Sequence, residues 1–251
     1  MTTATFRFYA GLNAFLPPER RGQTFCSRGA EHASVKHMIE ALGVPHTEVA
    51  LVLRNGEAAG LAESVGDGDR LAVYPKFETL EIGALSRVAV LQEGAPRFVA
   101  DSHLGALARL LRMAGFNTLY DNCYEDAALA ELANREGRVL LTRDRELLKH
   151  RVIKLGCFVH AVKPQEQLRE LYDRLDLQRN MRPFSLCLSC NEPLRDIEKG
   201  KVLHQLPEGV RERHERFLTC DGCHRVFWEG THWERMRRML EGLAVRSRID
   251  G

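Results

Sequence analysis

The sequence predicts an α/β protein in three parts. A small strand-rich unit comes first, a parallel sheet with helices on both faces follows, and a metal-held ribbon ends the chain. Three observations carry this reading. From Arg97 to Leu175, short apolar strands alternate with amphipathic helices four times, which implies a parallel sheet with right-handed crossovers. Before residue 82 the order is two strands, one helix, then further strands. Near the end, Cys187, Cys190, Cys220 and Cys223 form two C-x-x-C pairs flanking 29 residues.

The bulk numbers permit this organisation. A chain of 251 residues suits two or three domains. Net charge is only +2, so no overall polycation announces nucleic acid. Residues 97–182 are mildly basic, with 15 cationic and 12 acidic side chains, against 8 and 10 in residues 1–82 and 12 and 11 in residues 183–251. No window approaches the roughly 18 apolar residues of a membrane helix. The start, MTTATFRFYAG, lacks a secretory pattern. A cytoplasmic protein with no membrane partner is expected. Paired cysteines beside the lone Cys26, Cys123 and Cys157 suit a metal in a reducing compartment better than a disulfide framework.

Within residues 1–82, TFRFYA alternates as a strand should, and GQTFCSR offers a second. In SVKHMIEALGV, Val35, Met38, Ile39 and Leu42 share one helix face, Ser34 is the N-cap and Gly43 the stop. VALVLRNGEAA is a strand broken by Asn55-Gly56, a strong hairpin signal. GDGDRLAVYP closes the unit, and the order is that of a β-grasp fold. The NGE and DGD turns and the ending RLAVYP resemble the ubiquitin-like sulfur carriers of thiamine and molybdopterin synthesis. Those carriers act through a C-terminal Gly-Gly. This chain instead reads PKFETLEIGAL, so the fold is expected without the sulfur chemistry. Residues 83–96 read as a connector, with room for one strand.

The α/β part runs over 97–182. RFVA, NTLY, RVLLT and CFVHAV are its strands. SHLGALARLLRMAG, DAALAELANREG, RELLKH and PQEQLRELYDRL are its helices, the last opened by Pro164. Acids fall at the carboxyl ends of these strands, where open α/β sheets bind ligands. Asp101 follows RFVA. Asp121 follows NTLY, with Glu125 and Asp126 opening the next helix. Asp144 follows RVLLT. Each alone reads more readily as a helix N-cap. As a set they would repel one another unless a cation lay between them. Carboxylate oxygens suit Mg²⁺ or Mn²⁺, which assist phosphoryl displacement.

The stretches FVADSHLGALARLLRMAGFNTLYDN and EDAALAELANREGRVLLTRDREL carry F-x-x-D-x-x-L-G-x-L-A-R-x-L-R and L-L-T-R-D. They resemble the PIN-like ribonuclease domain of the Mut-seven C-terminal family. The order of ubiquitin-like segment, this domain and a zinc ribbon also resembles an arrangement in that family. The resemblance implies metal-dependent hydrolysis of RNA phosphodiesters without a covalent enzyme intermediate. Asp101, Asp126 and Asp144 are then the expected Mg/Mn ligands. The family often has an Asp where this chain has Cys123 or Glu125, which keeps Asp121 and Glu125 as further catalytic candidates. Arg143, Arg145 and Lys149 crowd the third strand end and are expected to neutralise phosphates, although a solvated helix face reads as well. Arg109 and Arg112 match family positions on the first helix and join the substrate-binding set. His103, beside Asp101, reads as a capping or surface residue rather than a general base.

Residues 183–251 form the ribbon and a final helix. Two C-x-x-C pairs complete a tetrahedral Cys₄ set, which points to structural zinc because no ligand position stays open. His224 and His232 are superfluous to that set. Trp228 and Trp233 read as small-core residues more readily than as base-stacking platforms. Trp233, Met236, Leu240 and Leu243 make an apolar stripe on the last helix. The expected function is a divalent-metal-dependent ribonuclease that binds RNA, with a possible protein partner at the ubiquitin-like unit. The competing reading is a non-catalytic RNA-binding or adaptor protein.

Overall fold

The computed structural model describes residues 1–75 and 94–246. Most of the connector expected at 83–96, and the tail beyond Arg246, lie outside the described residues.

The strands and α-helices follow the predicted order. They are β1 (Thr2–Phe8), β2 (Thr24–Gly29), α1 (Val35–Ala41), β3 (Leu51–Arg54), β4 (Glu57–Ala58) and β5 (Arg70–Tyr74). Then come β6 (Phe98–Ala100), α2 (Gly105–Met113), β7 (Thr118–Tyr120), α3 (Asp126–Glu136), β8 (Val139–Thr142), α4 (Arg145–Lys149), β9 (Gly156–Phe158) and α5 (Pro164–Arg174). The last part holds β10 (Leu194–Ile197), α6 (Lys199–Val202), α7 (Glu208–Arg213), β11 (Phe217–Cys220), β12 (Val226–Trp228) and α8 (Thr231–Arg246). Among the described residues no helix is long and apolar enough to cross a membrane.

The chain divides into two compact units, and neither follows the sequence boundaries. The first joins Met1–Glu93 to Tyr124–Val159. Its N-terminal sheet has the order β2-β1-β5-β3-β4, with β1 and β5 parallel and the other pairs antiparallel. Alternation in β1 buries Ala4, Phe6 and Phe8. Helix α1 buries Val35, Met38 and Ile39, and the Ser34 hydroxyl accepts the His37 N–H at 3.2 Å. The turn of the hairpin sits at Asn55 and Gly56, with φ of 55° and 93°, as the Asn-Gly pair predicts. This is the expected β-grasp arrangement.

Three 3₁₀ segments in this unit, Ala10–Phe15, Pro18–Arg20 and His46–Glu48, carry no periodicity that sequence reading detects. Two of them seat the β-grasp sheet on the 139–158 segment. The His46 ring meets Glu40 Oε1 at 2.7 Å and the Ile153 carbonyl at 2.9 Å. The buried Glu48 carboxylate accepts the Phe158 N–H at 2.6 Å. Phe15 packs edge-on against Phe158, with centroids 5.4 Å apart. In this segment β8 is buried at every position and pairs in parallel with β9. Helix α3 stops at Gly137, with φ of 62°.

The second unit joins Gly94–Cys123 to His160–Gly251. Here β6 and β7 pair in parallel, and α2 buries Leu107, Ala108, Leu111 and Met113. The expected helix from Ser102 opens instead as a 3₁₀ turn, Ser102–Leu104. Gly115 ends α2 with φ of 93°, and an added Cβ would collide with the Arg182 carbonyl. The two strands of chain are laced there, with Arg182 donating to the Ala114 carbonyl at 3.0 Å and Phe184 to that of Met113 at 2.9 Å. Gly115→Ala is therefore expected to cost at least about 1–3 kcal/mol, read as a lower melting temperature.

The ribbon is an antiparallel sheet of order β10-β11-β12. Its core is Val202, Leu206 and Phe217, joined by Ile197, Val210, Val226 and Trp228. Trp228 thus fills a core that has little else to bury, as expected. On α8, Leu240 and Leu243 are buried and Trp233 and Met236 half-buried, the predicted stripe.

Candidate active site and metal centre

Asp101 caps the turn after β6. Its Oδ1 accepts the His103 N–H and the Ser102 hydroxyl, both at 3.0 Å, and the residue is buried. Asp144 caps α4 after β8. Its Oδ1 accepts N–H bonds from Glu146 at 2.7 Å and Leu147 at 3.4 Å. Among the described residues no bond falls on Asp144 Oδ2, which leaves that oxygen available. The Thr142 hydroxyl accepts the Asp144 N–H at 2.9 Å and fixes the start of the turn. Asp126 is the first residue of α3, with Glu125 as its N-cap, and both are exposed. Asp121 makes its own turn, its Oδ1 accepting the Cys123 N–H at 2.9 Å. Asp101 and Asp121 belong to the second unit, and Glu125, Asp126 and Asp144 to the first.

The basic candidates separate into two kinds. Arg109 and Arg143 are exposed. Lys149 pairs with Glu146 at 2.7 Å. The Arg145 guanidinium lies over the rings of Phe15 and Phe158, 5.1 and 5.5 Å from their centroids, and donates to the Phe15 carbonyl at 3.4 Å. Arg112 differs most from expectation. It is buried, and donates to the carbonyls of Thr118 at 2.9 Å, Leu188 at 3.1 Å and Ser189 at 2.8 Å. Family position alone placed it with the substrate. Its donors instead grip the first cysteine turn.

That turn is half of a four-thiol centre. The sulfurs of Cys187, Cys190, Cys220 and Cys223 all lie within 4.8 Å of one another. Cys190 and Cys220 are 3.2 Å apart, and Cys187 and Cys223 are 3.6 Å apart. A tetrahedral zinc thiolate would set such separations near about 3.8 Å, from Zn–S bonds of about 2.3 Å. The two turns repeat one pattern. Cys187 donates its N–H to Glu192 and accepts that of Asn191; Cys220 donates to Arg225 and accepts that of His224. Asn191 and His224 both take positive φ, 69° and 58°. Among the described residues the Cys₄ set is the one group of three or more such side chains this close, and His224 and His232 are not in it.

Crowding four thiols splits their acidity. Burial pushes Cys190 up to about 12, with the neighbouring thiols adding to the effect. Burial also opposes ionisation of Cys220, yet N–H donors from Cys223 and Gly222 and the Cys190 thiol hold it down to about 7. The donor set, its spacing and its crowding fit a thiophilic ion, and the four thiols could hold zinc.

The first turn is supported from outside by groups that no local pattern marks. Arg112 holds two of its carbonyls, and Asn191 Oδ1 accepts the Thr118 N–H at 2.8 Å. The Arg225 guanidinium bonds the Ser189 hydroxyl across the two turns. Arg112→Ala is expected to weaken metal retention by about 10- to 100-fold, measured by competition with a chelator.

A β-grasp sheet, parallel strands covered by helices and a ribbon with a four-cysteine cluster together define a mixed α/β protein. The chain belongs to the Mut7-C RNAse domain family, whose model matches residues 96–240. Residues 1–81 match the Mut7-C ubiquitin model. Among solved structures, the small archaeal modifier protein 1 of H. volcanii is 27% identical over 31% of this chain and all of its own, with a TM-score of 0.26. A second structure, SAMP1 from Haloferax volcanii, is 25% identical over 31% of this chain and 99% of its own, with a TM-score of 0.25. No curated protein matches the chain.

Proposed function

We propose that the protein is a divalent-metal-dependent ribonuclease, with Asp101, Asp126 and Asp144 as the carboxylates that hold Mg²⁺ or Mn²⁺. The observation that carries this reading is the match to an RNAse domain across the stretch containing all three acids. The caps of Asp101 and Asp144 support it. A carboxylate steadied through one oxygen by backbone N–H groups still offers its second oxygen, and Asp144 Oδ2 fits that description. When bound, a hard divalent ion supplies activation of water and neutralises charge on the phosphate. Asp121 and Glu125 are reserve ligands at the same strand and helix junction.

In this reading the exposed Arg109 and Arg143 meet phosphates, while Arg145 ties α4 to Phe15 of the 3₁₀ segment that follows β1. That segment then acts as a brace for the Asp144 turn. Zinc in the Cys₄ set serves structure alone, since four protein ligands leave no site for water.

The test is incubation of the full chain with single-stranded RNA and either Mg²⁺ or Mn²⁺. Shortened products with both ends recoverable support the reading. Intact RNA with both ions sinks it and leaves the RNA-binding adaptor.

A further inference from the structure

We propose that a groove between α2 and the ribbon binds single-stranded RNA and leads it to Asp101. This rests on the ribonuclease reading and names how the substrate is held. The groove lies wholly within the second unit and encloses about 1490 Å³. One wall is the face of α2 that carries Arg109. The other is the sheet of β11 and β12 with the start of α8.

Two kinds of side chain line it, and together they match a single strand. Five Lys or Arg residues and two acids are among the lining residues. Of the cations, Arg109 and Arg235 are exposed and have no ion-pair partner among the described residues. Aromatic rings supply the rest. Val226 and Trp228 pack against the ribbon core while also lining the groove, and Phe227 between them on β12 is half-buried, lines the groove and is not part of that core. Trp233 enters from α8, tilted against Phe184 with centroids 4.7 Å apart. Cations for phosphates beside rings for bases are the recognition chemistry of single strands. A duplex hides its base faces and could use the cations only.

The groove also meets the turn that carries Asp101. Gly105 and Tyr120 are among its lining residues. The Tyr120 hydroxyl donates to the Ser102 carbonyl at 3.0 Å, and the Ser102 hydroxyl donates to the Asp101 carboxylate at 3.0 Å. Two hydrogen bonds thus link the groove lining to one of the proposed metal ligands, and in this proposal the strand held by Phe227 and Arg109 reaches it there.

The test is fluorescence anisotropy with a labelled 12-nucleotide oligouridylate, the full zinc-replete chain and no added Mg²⁺ or Mn²⁺. Joint replacement Arg109→Ala and Arg235→Ala is expected to reduce the slope of log affinity against log salt by about 1.4, at about 0.7 for each lost phosphate contact. Phe227→Ala is expected to weaken binding by about 5- to 150-fold, the effect of losing one stacked base. Phe227→Tyr keeps a ring and is expected to bind like wild type. A duplex of equal length should bind more weakly and ignore Phe227→Ala. Unchanged affinity in the Phe227→Ala and double-arginine variants overturns the proposal. So does a Phe227→Tyr protein as weak as Phe227→Ala, or a duplex bound as tightly as the single strand. Groove binding without any cleavage in Mn²⁺ would defeat the ribonuclease reading alone. Cleavage that survives with no groove binding would defeat this one alone.

Discussion

Asp144→Asn is expected to lower metal-dependent RNA cleavage by at least about 100-fold while leaving thermal stability close to wild type. Loss of a group that merely supports a metal ligand typically costs about 10- to 100-fold, and loss of a ligand should cost no less. Asparagine keeps the oxygen that accepts the Glu146 and Leu147 N–H bonds, so the cap on α4 survives. It loses the negative charge that a hard cation needs. Asp144→Ala is a poorer probe, because it also removes a cap worth about 0.5–2 kcal/mol. Asp101→Asn should behave alike, since its Oδ1 accepts the His103 N–H in the same manner. The measurement is initial cleavage rate with Mn²⁺ beside a melting curve for each variant. Equal rates in wild type and both variants would mean that these carboxylates are caps and nothing more. Asp121→Asn and Glu125→Gln, run in parallel, show whether the second junction supplies a ligand besides Asp126.

Cys220→Ser is expected to release the ribbon metal and unfold residues 187–228, leaving the β-grasp sheet intact. The ribbon core is small, with Val202, Leu206 and Phe217 at its centre. A structural zinc site contributes about 10–16 kcal/mol of apparent binding free energy near neutral pH, far more than such a core can replace. Metal content should fall from one ion per chain to none. Limited proteolysis should then cut within the ribbon, and the fluorescence of Trp228 and Trp233 should shift toward that of solvated indole. A strong chelator should do the same to the wild-type chain. Metal retention should also weaken as pH falls, because every thiol must lose its proton to bind. A ribbon that stays protease-resistant without metal would show that its apolar core suffices.

The two results report on different reaches of structure. The Asp144 turn is local. The Cys₄ centre joins cysteines separated by 29 residues and is gripped by Arg112 from a helix 75 positions before Cys187.

The sequence by itself determined the order of elements, because each depends on near neighbours. Asn55-Gly56 marks its hairpin, since those residue types accept positive φ. Ser34 and Gly137 bound their helices, and the two C-x-x-C pairs predict their cluster. The acids Asp101 and Asp144 were placed at strand ends by the alternation of strand and helix alone. Tertiary structure decided what the side chains do once those elements meet. Arg109 and Arg112 look equivalent on one helix, yet Arg112 is buried against carbonyls supplied by the later cysteine turn. Arg145 reads as a phosphate contact until Phe15, 130 positions earlier, meets it. The division into two units likewise joins the β-grasp sheet to 124–159 and the ribbon to 94–123. Periodicity and turn chemistry act over a few residues and are written in the local sequence. A buried donor takes whichever acceptor the folded chain brings to it, and that acceptor can come from any distance along the chain.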